Sequence, residues 1–124
     1  MNIRNKLLLL LVVLTSLIGC GSDDSSEPNA NVEFSFGEFG MKSFGAPFVV
    51  LHINHTGGND IYNASCDVRA MQGSTIVDTG FAYFADGGTI KSGESAHDEA
   101  IFFNLSAHTQ YETVETSECT WLYR

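Results

Sequence analysis

The chain has 124 residues, 15 acidic against 6 basic side chains and a formal net charge of −9 at pH 7. Its basic residues are scattered, whereas binding to a phosphate backbone needs clustered lysines and arginines, so the composition disfavours nucleic acid as a partner. The part of the chain from Val32 to Arg124 has the length of one small domain and is too short for two cores.

Residues 1–19 have the order of a secretory signal peptide. Arg4 and Lys6 precede an unbroken apolar run at 7–14, and mostly small residues follow it. The apolar stretch is too short to cross a hydrocarbon core, because a spanning helix needs about 20 residues. The pattern therefore favours a cleaved signal peptide over a retained transmembrane helix.

The end of this segment, Leu17-Ile18-Gly19-Cys20, resembles the lipobox of bacterial lipoproteins. The resemblance implies cleavage before Cys20, a diacylglyceryl group on its sulfur and an acyl chain such as palmitate on its new amino group. It also implies a cell-envelope protein anchored to the outer membrane, on its periplasmic side or at the cell surface, because Gly21 replaces the aspartate that signals inner-membrane retention. The alternative is an ordinary signal peptide with a chance cysteine.

Residues 20–31 contain the acidic, Ser-rich segment "GSDDSSEPNAN", which has no large apolar side chain. Such a segment buries too little surface to offset the entropy lost on ordering, so it predicts a disordered tether. The folded domain is then expected at 32–124.

Alternating apolar and polar residues indicate half-buried β-strands in this domain. The first two are "VEFSF" at 32–36 and "PFVVLHINH" at 47–55. The inward face of the second consists of Val49, Leu51 and Ile53. "IYNASCDVRAM" at 61–71 alternates most clearly, with an apolar face that begins at Tyr62 and includes Cys66.

Further strands and one helical turn follow. The predicted strands are "TIVDTGFAYF" at 75–84, "TIKSGES" at 89–95, "HDEAIFFNL" at 97–105 and "YETVETSECTWLYR" at 111–124. The helical turn is expected at 106–110 with Ser106 as its cap. The glycine pairs Gly57-Gly58 and Gly87-Gly88 are interpreted as hairpin turns.

About six or seven short strands without a sustained helical period predict an all-β protein with an immunoglobulin-like antiparallel β-sandwich. From Val49 onward the chain resembles the small immunoglobulin-like FxLYD domains of prokaryotic envelope proteins. The matched positions include Ile53-Asn54, Gly73-Ser74, Ile76-Val77-Asp78, Gly93-Glu94 and Phe102, whereas Ala70 and Met71 replace an aromatic residue and an aspartate. The resemblance implies a non-catalytic domain.

Cys66 and Cys119 both lie on the apolar phase of their strands. An even pair of cysteines in an exported domain predicts a disulfide bond. Free buried thiols and a soft-metal site are the alternatives.

Ser95, His97 and Asp98 invite comparison with a nucleophilic triad. On one strand, however, Asp98 points to the opposite face from the other two, and Ser95 and His97 are about 6.6 to 7 Å apart. A triad needs hydrogen bonds from nucleophile to base and from base to acid. We therefore predict no catalytic residues and no enzyme.

The spacing of the histidines along the strands predicts no metal site, and we also predict no cofactor. His52 and His55 are three residues apart and face opposite sides of a regular strand, so only a bend would bring them together. His97 and Glu99 share a face, but two ligands do not complete a site. A periplasmic zinc- or copper-binding module remains the alternative function.

Phe36, Phe39, Met41, Phe44 and Phe48 make residues 36–48 rich in large apolar side chains. A first strand wrapped over the core explains most of them, and any exposed part is the best candidate for a partner-binding patch. The main functional hypothesis is a lipid-anchored, non-catalytic domain that binds an unidentified envelope protein.

Overall fold

The computed structural model describes residues 27–124. The predicted signal peptide, the predicted lipidation site Cys20 and most of the predicted tether lie outside the described residues. The six strands are β1 (Ala30–Met41), β2 (Pro47–Gly58), β3 (Ile61–Gln72), β4 (Thr75–Tyr83), β5 (Ser95–Ile101) and β6 (Thr113–Tyr123). Within this part of the chain, no helix has the length and apolar character needed to cross a membrane.

The strands form two three-stranded antiparallel sheets, ordered β1-β2-β5 and β4-β3-β6. The predicted all-β sandwich is confirmed. The first, second and fifth strands share one sheet and the third, fourth and sixth share the other, as in immunoglobulin-like sandwiches. We call them the first and second sheet.

The interior is built from the inward phases of both sheets. Val49, Leu51 and Ile53 of β2 are fully buried, as their alternation predicts. Phe84 and Phe102 are the largest fully buried side chains and lie outside the strands, after β4 and β5 respectively. Burial of such rings contributes about 1.5–3 kcal/mol each, so the loops that carry them are held to the core.

The interpretation of the glycine pairs as hairpin turns is wrong. Gly57-Gly58 ends β2 and leads to β3 in the opposite sheet, and Gly87-Gly88 lies between β4 and β5, which are also in different sheets. Gly58 has φ +97°, and a Cβ there would lie 2.5 Å from the carbonyl oxygen of Asn29. Glycine therefore serves a crossing between sheets, where the backbones approach closely.

The inward phase predicted for Tyr62 is also wrong, because Ile61 is fully buried and Tyr62 is only half-buried. The next residue, Asn63, has φ 53°. The pairing of β3 with β6 also shifts register here, between Tyr62 and Ser65. A bulge of this kind adds a residue and reverses the alternation on one side of it. From Ala64 to Ala70 the predicted phase is confirmed.

Two smaller predictions need correction. The strand predicted at 89–95 is absent except for Ser95, which begins β5; in the rest of the segment only Ile90 makes an isolated bridge, to Ile61. The helical turn is present at His108–Gln110, but its cap position is Ala107 rather than Ser106. The backbone N–H of Ser106 instead donates to the Gln110 side chain over 2.6 Å.

Candidate functional site

Two exposed phenylalanines meet at the end of the sandwich where β1 ends, which we call the distal end. Phe44 is 62 % exposed and Phe103 is 70 % exposed. Their rings stack with centroids 5.9 Å apart and planes 5° apart. Phe39 and Met41, at the end of β1, are 40 % and 47 % exposed. These four residues are called the distal patch.

The position of Phe44 follows from the tight turn between β1 and β2. Lys42 N–H donates to the Ala46 carbonyl over 2.8 Å, and Gly45 N–H donates to the Lys42 carbonyl over 2.9 Å. Gly45 has φ +98°, a conformation that favours glycine. Phe44 therefore lies at the tip of a closed turn.

An ion pair holds this turn against the neighbouring sheet surface. Lys42 Nζ lies 2.7 Å from a carboxylate oxygen of Glu99 on β5 and 5.4 Å above the ring of Phe48. Both charged side chains are partly exposed, so the pair orients the turn more than it stabilises the fold.

Phe103 is directed outward because both of its neighbours are fixed. Phe102 is fully buried and its N–H donates to the Pro47 carbonyl over 2.9 Å. On the other side, Asn104 donates through its backbone N–H and its side-chain amide to the two carboxylate oxygens of Asp78, over 2.9 and 3.0 Å. Asp78 is largely buried on β4 and also accepts from the backbone N–H of Thr79.

A histidine connects the end of β1 to the segment before β6. His108 Nε2 donates to the Gly40 carbonyl over 2.9 Å, and Nδ1 of the same ring is hydrogen-bonded to the Tyr111 hydroxyl over 2.5 Å. Burial raises the pKa of Tyr111 to about 12, which keeps this hydroxyl protonated as a donor. The ring of Phe39 packs edge-on against His108 with centroids 5.9 Å apart.

A second candidate site lies on the outer face of the first sheet. His52 on β2 and His97 on β5 are direct cross-strand partners, and their ring centroids are 5.5 Å apart. They line a shallow depression together with Gly37, Glu38, Val50, Asp98 and Glu99. The shared face expected for His97 and Glu99 thus brings both to one depression.

His55 is separated from these histidines, as the strand phase predicts. It is 2 % exposed and faces the core side of β2. Its Nε2 donates to the Asn59 carbonyl over 2.6 Å, and its Nδ1 accepts from Gly57 N–H over 3.3 Å. His55 therefore closes the crossing from β2 to β3. In residues 27–124, no group of three or more His, Cys, Asp or Glu side chains is arranged to hold a metal ion.

The three residues that suggested a triad have separate partners. The Ser95 hydroxyl donates to the side-chain oxygen of Asn54, its cross-strand partner. Asp98 accepts from the backbone N–H of Tyr83 over 2.8 Å and so connects β5 to β4. The ring of His97 instead lies beside that of His52.

The structure pairs Cys66 of β3 with Cys119 of β6 at disulfide distance. These strands are neighbours in the second sheet, so the bridge lies within one sheet rather than between the two. Cys66 is fully buried, and Cys119 packs against the core from a partly exposed position.

No family model, curated protein or solved structure matches this chain. The resemblances to bacterial lipoproteins and to FxLYD domains therefore stay predictions. Phe44 belongs to the aromatic-rich stretch at 36–48 that was predicted as a candidate patch, whereas Phe103 was not predicted as a site residue. The adjacent pair Phe102-Phe103 was the signal that could have indicated it. Two consecutive residues of a strand point to opposite sides, so only one of these rings can face the core and the other is exposed.

Proposed function

We propose that this protein is a non-catalytic binding module, held at the bacterial cell envelope by lipid on Cys20, that binds another envelope protein through the distal patch. The observation that carries the proposal is the stacked pair of Phe44 and Phe103, both more than half exposed. Single exposed apolar residues are common on monomers, but a cluster of large ones indicates a contact surface. Aromatic residues also dominate the binding energy of protein interfaces.

The contacts that hold the two rings in position should reduce the conformational entropy lost when a partner binds. Lys42 and Glu99 hold the turn that carries Phe44, and Asp78 holds the segment that carries Phe103. A preorganised contact surface loses less side-chain and loop entropy on association than a mobile one. Both rings are thus presented in one geometry before the partner arrives.

The position of the patch suits a protein anchored through its N-terminus. The 12 residues of β1, at about 3.3 Å per residue, separate its beginning from its end by about 36 Å. The chain enters the domain at Ala30, so the distal patch lies at the far end from the proposed anchor. It would face away from the membrane, where another envelope protein can reach it.

The net negative charge of the cleaved protein indicates which charges its partner should carry. Cleavage before Cys20 would remove Arg4 and Lys6 but no acidic residue, which leaves four basic and 15 acidic side chains, or 4 − 15 = −11. Complementary potentials accelerate association and suppress wrong partners. The partner is expected to offer an apolar pocket for the two rings with a basic rim around it.

A second aromatic pair provides a matched control. Phe81 and Tyr83 stack on β4 with centroids 6.2 Å apart, and Phe81 is 55 % exposed. This pair consists of alternate residues on one strand, and the Tyr83 hydroxyl donates to the side chain of Asn63. It has a similar size and exposure but lies on β4 and is not part of the distal patch.

The proposal is tested with a photo-reactive phenylalanine analogue placed at position 103 or, as the control, at position 81 in the full chain in bacterial cells. Position 103 is expected to give a defined cross-linked protein, and position 81 is not. With that partner purified, Phe44→Ala and Phe103→Ala should each weaken binding by about tenfold or more, whereas Phe81→Ala should leave it unchanged. Equal cross-linking from both positions, or binding insensitive to Phe44 and Phe103, would contradict the proposal.

The anchor is tested separately by the intact mass of the protein from bacterial membranes. We expect the mass of residues 20–124 plus a diacylglyceryl group and one further acyl chain, and a Cys20→Ala variant should lose this modification. An unmodified chain in the soluble fraction would refute the anchor while leaving the distal patch open to its own test.

A further inference from the structure

We propose that His52 and His97 form a binding site for one divalent transition-metal ion of the class of Zn²⁺, Cu²⁺ or Ni²⁺. The site is on the outer face of the first sheet and contains no residue of the distal patch, so metal binding there does not require the proposed protein partner. Both histidines are exposed and are direct partners across β2 and β5. Neutral imidazole is a preferred ligand for these borderline metals.

The distance between the rings suits a shared ion. Two imidazoles that bind one ion at about 2.0–2.1 Å, at angles between square and tetrahedral, have ring centres roughly 4.5 to 5.2 Å apart. The observed separation is 5.5 Å with planes tilted by 40°. Small rotations of two exposed side chains would therefore bring one nitrogen of each ring to the ion, without movement of the strands.

Gly37 on β1 leaves space for this arrangement. A Cβ at this position would lie 2.5 Å from His52 Nε2, so any other residue would displace the ring. The register of β1 against β2 shifts between Phe36 and Phe39, which places a bulge beside the depression. The absence of a side chain gives the ring of His52 its position and gives water access to the ion.

The charges around the histidines favour a cation. Glu38 and Glu99 line the same depression as the two rings. The ion pair with Lys42 holds Glu99 in place, and the hydrogen bond from Tyr83 N–H holds Asp98 in place. Two histidines with water as the remaining ligands make an open, exchangeable site, weaker than a closed structural zinc site with four protein ligands.

The test is calorimetric titration of the full chain with zinc chloride, with His52→Gln and His97→Gln as site variants. Asn54→Ala is the matched control, because Asn54 lies on the same face of β2 in the next cross-strand row. We expect one ion per chain, an affinity at least about tenfold lower in either histidine variant, and an unchanged affinity in the control.

Electron paramagnetic resonance of the Cu²⁺-loaded chain provides an independent readout. The spectrum should show coupling to two imidazole nitrogens, and each histidine variant should lose one of them. His52, His97 and Asn54 are all exposed, so circular dichroism is expected to show unchanged folding in these three variants. No saturable binding of either metal, or binding that is equal in both histidine variants and in Asn54→Ala, would overturn the proposal.

Discussion

The two ends of the sandwich differ in what their hydrogen-bonded polar groups hold in place. At the proximal end, where β1 begins, backbone and side-chain groups bond to one another. Asn29 and Asn59 exchange hydrogen bonds of 3.2 and 2.7 Å, and His55 donates to the Asn59 carbonyl. At the distal end, polar groups such as Asp78 and His108 are also satisfied, but they support large apolar rings that face solvent.

This difference separates residues that maintain the fold from residues that we propose bind a partner. At the proximal end, the hydrogen bonds of Asn29, His55 and Asn59 are made to other groups of the same chain. Phe44 and Phe103 contribute little to the core. A closed turn, an ion pair and a buried carboxylate nevertheless hold the segments that carry them. Exposed apolar surface that is held so firmly indicates a contact surface.

The largest expected effect concerns the bridge between β3 and β6 in the second sheet. Cys66→Ala or Cys119→Ala should lower the free energy of unfolding by about 4 kcal/mol, because the bridge closes a loop across a sequence separation of 53 residues. Urea unfolding with and without reductant measures this. The double variant should match either single variant. Insensitivity of the unmodified protein to reductant would contradict the bond.

Removal of the Asp78 carboxylate tests the support of the distal end. Asp78→Ala leaves the N–H of Thr79 and both donors of Asn104 without their acceptor, and unsatisfied buried donors cost about 1–3 kcal/mol. We expect a loss of about 2–3 kcal/mol in urea unfolding and weaker partner binding, because Phe103 loses its fixed neighbour. Asp60→Ala at the proximal end is the control for partner binding. Intact binding in the Asp78 variant would show that this support is not needed.

Alkaline pH tests the buried tyrosine beside His108. Its folded-state pKa of about 12 lies above the unfolded value of 10. The unfolded chain therefore releases the proton first, and the contribution to stability is complete below pH 10 and is lost as pH rises from 10 to 12. The melting temperature of the unmodified protein should fall more steeply than that of Tyr111→Phe over this window. Parallel curves would refute the shift.

The smallest effect on stability is expected for the distal rings themselves. Phe44→Ala and Phe103→Ala should each change the free energy of unfolding by no more than about 0.5 kcal/mol, as for other exposed substitutions. The same variants should produce the largest loss of partner binding. A large loss of stability would mean that the rings belong to the folding interactions, and the contrast between the two ends would fail.

The alternation of side chains predicted much of the fold. Val49, Leu51, Ile53, Cys66 and Val68 point inward as expected, because the period of a strand is a local property of the backbone and burial selects its apolar face. The same local rule placed His52 and His55 on opposite faces of β2. It failed at Tyr62, where the positive φ of Asn63 reverses the phase within one strand.

Which strands are neighbours follows from the packing of the whole domain, and the candidate sites depend on that arrangement. Phe44 and Phe103 are far apart in the chain, and so are His52 and His97; each pair meets because β2 lies beside both β1 and β5. Strand order and register are determined by the joint burial of two sheets, a non-local balance that no short segment encodes. Local patterns thus predicted the all-β class, most of the inward residues and the cysteine pair, whereas the packing of β2 between β1 and β5 created the aromatic stack and the histidine pair.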